Sequence, residues 1–181
     1  MAISKKISIQ SIIVILLLRL ISLHVTSAQN SARDVINAHN IERTAVGVPP
    51  AQWNDTVAAF AMDYATKYRA KDCAMEHSTL PFGENIAAGG PDFSIVDAVK
   101  GFAAEKKFYD KGTKGCKGGE CGHYANMIAH DSTQIGCARV KCKGQGGDGI
   151  FVGCSYWGPG WICPIVQPGD PRAYTQAGTN Y

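Results

Sequence analysis

Residues 134–157 read QIGCARVKCKGQGGDGIFVGCSYW, and the sheet of the fold is read from them. Apolar and polar side chains alternate through 134–142 and again through 149–157, the period-two signature of strands. Gly144, Gly146, Gly147 and Gly149 lie between, which predicts a hairpin with a long glycine loop. Cys137 stands nine residues before Gly146 and Cys154 eight after it. They fall near each other across such a ladder, so a Cys137–Cys154 bridge is geometrically sensible.

Upstream of the hairpin the pattern is helical. Ser31 caps a first helix, with Asp34 in capping-box position and Val35, Ala38, His39 and Glu42 at helical spacing. Gly47, Pro49 and Pro50 end it. Asn54 or Asp55 starts a second helix, striped by Val57, Phe60, Ala61, Tyr64, Ala65 and Tyr68. Asn54-Asp55-Thr56 is also a sequon, so Asn54 is both a helix start and a glycosylation candidate. Residues 71–93 lack periodicity and read as loop. A third helix from about Ser94 carries Ile95, Ala98, Val99 and Phe102 on one stripe. Three residues on, Glu105 falls at the edge of that apolar face, where a carboxylate needs partners or water. Residues 111–122 are rich in Gly and Lys and read as a solvated loop. A short helical pattern follows at Tyr124, Met127 and Ile128, with His123, Met127 and His130 on one side. His123 and His130 are two turns apart, about 10 Å, too far to share a metal ion.

The chain has 181 residues, 18 Lys plus Arg, 15 Asp plus Glu and a formal charge of +3. That is too apolar and too weakly charged for a disordered chain, and it is the length of one domain. Lys5 and Lys6 precede an apolar run, and Thr26-Ser27-Ala28 offers small residues for cleavage. Residues 1–28 therefore read as a secretory leader, with Arg19 interrupting the run and arguing against a membrane span. Without Lys5, Lys6 and Arg19 the remaining chain has 15 basic and 15 acidic residues and no net charge. Nucleic acid is excluded as a charge-selected partner, and no later segment is apolar enough for a transmembrane anchor.

All seven cysteines follow the leader, where an oxidising compartment favours disulfides over zinc. Three pairs from seven cysteines allow about 105 arrangements, so counting leaves the connectivity open. There is no G-x-S-x-G elbow, Walker loop, G-x-G-x-x-G or H-E-x-x-H. What remains is a scatter of His77, Glu84, Glu105 and His123. Taken singly, each is weak.

Several segments together resemble the CAP superfamily, and most closely its plant pathogenesis-related group-one branch. His39-Asn40-Ile41-Glu42-Arg43 resembles H-N-x-x-R, and Trp53 stands before the second helix as in that branch. Gly83-Glu84-Asn85-Ile86 matches G-E-N-[ILV]. Gly122-His123-Tyr124 and residues 151–156 resemble the two signatures. The match runs from about Gln29 to Tyr174. It divides the chain into a leader 1–28, a CAP domain 29–174 and a short extension 175–181.

The resemblance implies an α+β fold, an α-β-α sandwich with a central antiparallel sheet. It implies the bridges Cys73–Cys142, Cys116–Cys121 and Cys137–Cys154, with Cys163 left unpaired. It gathers His77, Glu84, Glu105 and His123 around a cavity, with His77 and His123 as ligands for a divalent metal such as zinc. No cofactor is obligatory. Members also bind sterols or other lipids, for which Phe102, Phe108 and Tyr109 are groove candidates; core packing competes for Phe102. The expected protein is secreted to the apoplast, defence-related and non-enzymatic. A metal-dependent hydrolase using Glu84 or Glu105 as base, and an extracellular protein-interaction module with an unknown partner, are the alternatives. The chain departs from the family at Ala125-Asn126 and Ala129, at Phe102 in place of Trp, and after Tyr156, where Trp157-Gly158-Pro159-Gly160-Trp161 stands.

Overall fold

The structure, a computed structural model, describes residues 8–28, 30–79, 82–144 and 146–158. Cys163 and the 175–181 extension lie outside the described residues. Among the described residues five α-helices run α1 (Ile9–Ala28), α2 (Ala32–Ala45), α3 (Asp55–Tyr64), α4 (Ile95–Ala104) and α5 (Gly122–Met127). The strands are β1 (Gln52–Trp53), β2 (Gly83–Gly89), β3 (Tyr109–Asp110), β4 (Gly115–Cys116), β5 (Gln134–Gly144) and β6 (Gly147–Trp157). Among the described residues no helix is long and apolar enough to cross a membrane.

The main sheet has the order β1-β5-β6-β2. β5 and β6 are antiparallel along their whole length, with Cys137 opposite Cys154. β2 lies antiparallel on the other side of β6. The sheet is not wholly antiparallel, because the two-residue β1 pairs parallel with the start of β5. Helices cover both faces. Val35 of α2, Val99 and Phe102 of α4 and Met127 of α5 pack on Val152, Cys154 and Tyr156. Phe60 and Tyr64 of α3 pack on Ala138 and Phe151 from the other side. Alternation along β6 sends Val152 and Phe151 to opposite layers.

Among the described residues the disulfides are Cys73–Cys142, Cys116–Cys121 and Cys137–Cys154. The starts of α2, α3 and α4 follow from their caps. Ser31 accepts from Asp34 N, Asn54 from Thr56 N and Val57 N, and Ser94 closes a full capping box with Asp97. α3 can lie close over β5 because residue 136 is glycine. A Cβ there would stand 2.0 Å from the Ala58 backbone nitrogen.

Three local expectations are corrected. Residues 71–93 are not all loop, since β2 occupies Gly83–Gly89. Its run of Ala87, Ala88 and Gly89 has weak strand character, and pairing with β6 supplies what propensity does not. The glycine loop is shorter than expected, because the ladder continues to Gly144 opposite Gly147. His130 does not share a helical side with His123. α5 ends at Met127, and His130 pairs with its neighbour Asp131 on the surface.

Candidate functional site

His77, Glu84, Glu105 and His123 line one cleft of about 430 Å³, together with Asn126, Glu120 and the Cys116–Cys121 bridge. Four separate elements deliver the tetrad. Glu84 is the second residue of β2, Glu105 follows α4, His123 opens α5, and His77 lies in the irregular stretch before β2.

The tetrad forms two like pairs. His77 Nδ1 lies 2.8 Å from Glu84 Oε1, which also accepts from Ser78 N at 2.9 Å. His123 Nδ1 lies 2.6 Å from Glu105 Oε1. Glu105 Oε2 accepts from His123 N at 3.0 Å and from Tyr124 N at 3.3 Å. The partners that the apolar-edge position of Glu105 demanded are these three N–H groups. A carboxylate on Nδ1 fixes the ring and its tautomer and leaves Nε2 as the lone-pair atom. The hydrogen bond to Glu84 raises the His77 pKa above its ordinary value, against a smaller opposing effect of burial.

Residues that the sequence did not offer as site candidates hold these pairs in place. Asn85 is fully buried and donates to His123 O and to the Tyr156 hydroxyl, each at 2.9 Å. Asn126 donates to Asn85 Oδ1 at 2.9 Å and to Glu84 O at 3.3 Å. His39 Nε2 stands 3.1 Å from the same Tyr156 hydroxyl. Arg43 donates to Met127 O and Ala129 O at the end of α5. This buried network ties the backbones of Glu84 and His123 to α2. His39 and Arg43 lie in a quoted motif, but nothing in its spacing shows that it braces a cleft made elsewhere. Arg69 has no sequence signal at all. It ends a five-residue π-helical turn, Ala65–Arg69, and reaches Ala74 O at 3.3 Å and Glu76 at 2.9 Å.

The aromatic candidates divide. Phe102 is 3% exposed and stacks on His123 at 4.9 Å between ring centres, so it belongs to the core, not to a groove wall. Phe108 lies against Gly119, where a Cβ would sit 2.8 Å from its ring. Tyr109 meets Tyr124 edge to face at 5.5 Å. Asn54 caps α3 with its carbonyl oxygen and donates its amide to Gln134, so the sequon nitrogen is engaged in the fold.

Residues 36–156 match the family described as Cysteine-rich secretory protein family, CAP. The chain belongs to the CAP family. It is 43% identical over 140 residues to the basic form of pathogenesis-related protein 1 of Nicotiana tabacum, covering 77% of each chain. It is 41% identical over 133 residues to pathogenesis-related protein 1 of Arabidopsis thaliana, covering 74% of this chain and 80% of that one. Among solved structures it resembles venom allergen-like protein 4 of Schistosoma mansoni, with 26% identity, a TM-score of 0.50, and 78% and 97% coverage. BmVAL-1 has a TM-score of 0.55 at 17% identity, covers 72% and 78%, and bears on the fold alone. The α+β CAP fold read from four short motifs is the observed one. Within this CAP domain Asn126 joins Asn85 to Glu84 inside the cleft.

Proposed function

We propose that this CAP protein is secreted, defence-related and non-enzymatic, and that its cleft binds a divalent cation such as zinc through His77 and His123. The observation that carries the reading is the repeated His–Glu pair. In both, Nδ1 is taken by a carboxylate and the Nε2 donor is left for a ligand, the arrangement that carboxylate–histidine metal sites use. Among the described residues no group of three or more His, Cys, Asp or Glu is placed to hold a metal ion. Two imidazoles with water completing the shell make an open, exchangeable site. When bound, the metal would polarise its water. Glu105, however, already spends both oxygens on N–H donors, which supports ligand binding over a hydrolase with Glu105 as base.

Secretion is supported by the leader pattern of residues 1–28 and by three disulfides. The defence role is supported by the pathogenesis-related relatives. A lipid ligand is the second reading, supported by the half-buried rings of Phe108 and Tyr109, which each keep part of their surface exposed beside Gly119 and Tyr124. A sterol-binding assay comparing Phe108→Ala and Tyr109→Ala with the parent checks it.

Calorimetric titration of the purified, metal-stripped protein with zinc tests the main reading. One zinc per chain is expected, lost in His77→Ala and in His123→Ala. Absence of saturable zinc uptake overturns it.

A further inference from the structure

A second cavity, about 490 Å³, opens at the other end of the central ladder. Glu84 pairs with Ser155 and Gly89 with Ile150, so five residues, about 17 Å of strand, separate this end from the His–Glu cleft. Its volume is that of a small-molecule site. Its lining combines two kinds of chemistry. Ala70 and Pro91 supply apolar surface, backed by buried Ile150 and the Cys142 arm of a disulfide. Lys71, Lys141 and Lys143 supply cations against one acid among the described lining residues, Asp148.

These lysines are under-used by the fold. Among the described residues the side chains of Lys141 and Lys143 have no ion-pair or hydrogen-bond partner, although Lys143 stands opposite Asp148 in the ladder. The ion contact of Lys71 is a 4.0 Å approach to its neighbour Asp72, both side chains exposed. The chain after the leader has no net charge, so this local excess does not follow from a generally basic surface. Cations at the mouth of an apolar hollow select a ligand with a negative head and an apolar body. Burying the body expels water and strengthens the charge contact.

We propose that this cavity is a second binding site, for a small organic carboxylate with an apolar body. The ligand body rests on Ala70 and Pro91, and its carboxylate meets the ammonium groups of Lys141 and Lys143. The site is independent of the metal reading of the cleft.

The test is an amide NMR titration of the full chain with three probes: 4-phenylbutyrate, the matched neutral 4-phenylbutan-1-ol, and acetate. Saturable shifts clustered at Ala70, Cys142 and Ile150 are expected with 4-phenylbutyrate. The alcohol should bind at least fivefold more weakly, and acetate should not saturate. The double variant Lys141→Gln/Lys143→Gln should weaken 4-phenylbutyrate at least fivefold while keeping a native spectrum and unchanged zinc uptake. Ala70→Phe should fill the hollow and abolish binding; if that variant misfolds, the lysine pair decides. Equal binding of acid and alcohol overturns the proposal. So does saturation by acetate alone, a lysine variant that binds as the parent does, or shifts centred on His77 and His123.

Discussion

The two halves of the cleft carry the same pair of side chains on different foundations. His123 opens a helix, its ring lies on buried Phe102, and its carboxylate partner also holds two backbone N–H groups. His77 lies in a stretch without regular structure, with 59% of its side chain exposed. Its position depends on polar contacts: Glu84 to the ring and Ser78 N, the Tyr64 hydroxyl to Glu76 O, and Arg69 to Ala74 O and Glu76. One ligand arm is set by core packing, which is hard to deform. The other is set by hydrogen bonds near the surface, which is where the affinity of the site can be tuned with little damage to the fold.

The sharpest break in that comparison is Phe102→Ala. It should cost about 3–5 kcal/mol in urea unfolding, because it leaves a hole under the His123 half of the cleft. Acid should come next. Burial lowers the His39 pKa to about 4, so His39 is neutral in the folded chain while the unfolded chain takes up its proton below about 6.5. Its contribution is intact above that value and is lost as pH falls towards 4, about 3 kcal/mol in all. Unfolding midpoints across this window should flatten in His39→Gln. His77 has the opposite sign. Its raised pKa gives a contribution that is full below the unfolded value of 6.5 and fades as pH rises through the folded one.

Arg69→Met should cost about 1–3 kcal/mol, because it leaves Ala74 O without its donor. It should also speed amide exchange across 73–79 and weaken zinc, with exchange at 123–127 unchanged. Glu76→Gln, at an exposed partner, should cost less than about 1 kcal/mol. Glu84→Gln should bring the His77 titration, followed by ring NMR, back towards its ordinary value and leave stability nearly unchanged.

How much of this was legible in the sequence depended on the range of the signal. Ser31, Asn54 and Ser94 announce helix starts because a cap acts within three residues. The hairpin and its Cys137–Cys154 bridge follow from alternation around one turn. β2 was hidden because small residues mark a strand poorly; its place comes from β6, more than sixty residues on. The tetrad types were readable through motif resemblance, and the Nδ1 pairing was not. That pairing depends on how α4, α5 and β2 meet. Arg69 was silent for the same reason, since a π-helical turn has no short sequence code.

The spacing of the disulfides orders the assembly of the chain in time. Their partners are separated by 5, 17 and 69 residues. The closure penalty grows as 1.5 RT ln n, so the longest pair meets roughly fiftyfold less often than the shortest in an unfolded chain. Cys116–Cys121 and Cys137–Cys154 can therefore oxidise while the chain is still largely open. Cys73–Cys142 has the most to gain from a chain in which α3 already lies on β5. That last bond seals the hollow at the end of the ladder, so a chain caught before it closes has a finished hairpin and an unfinished second cavity.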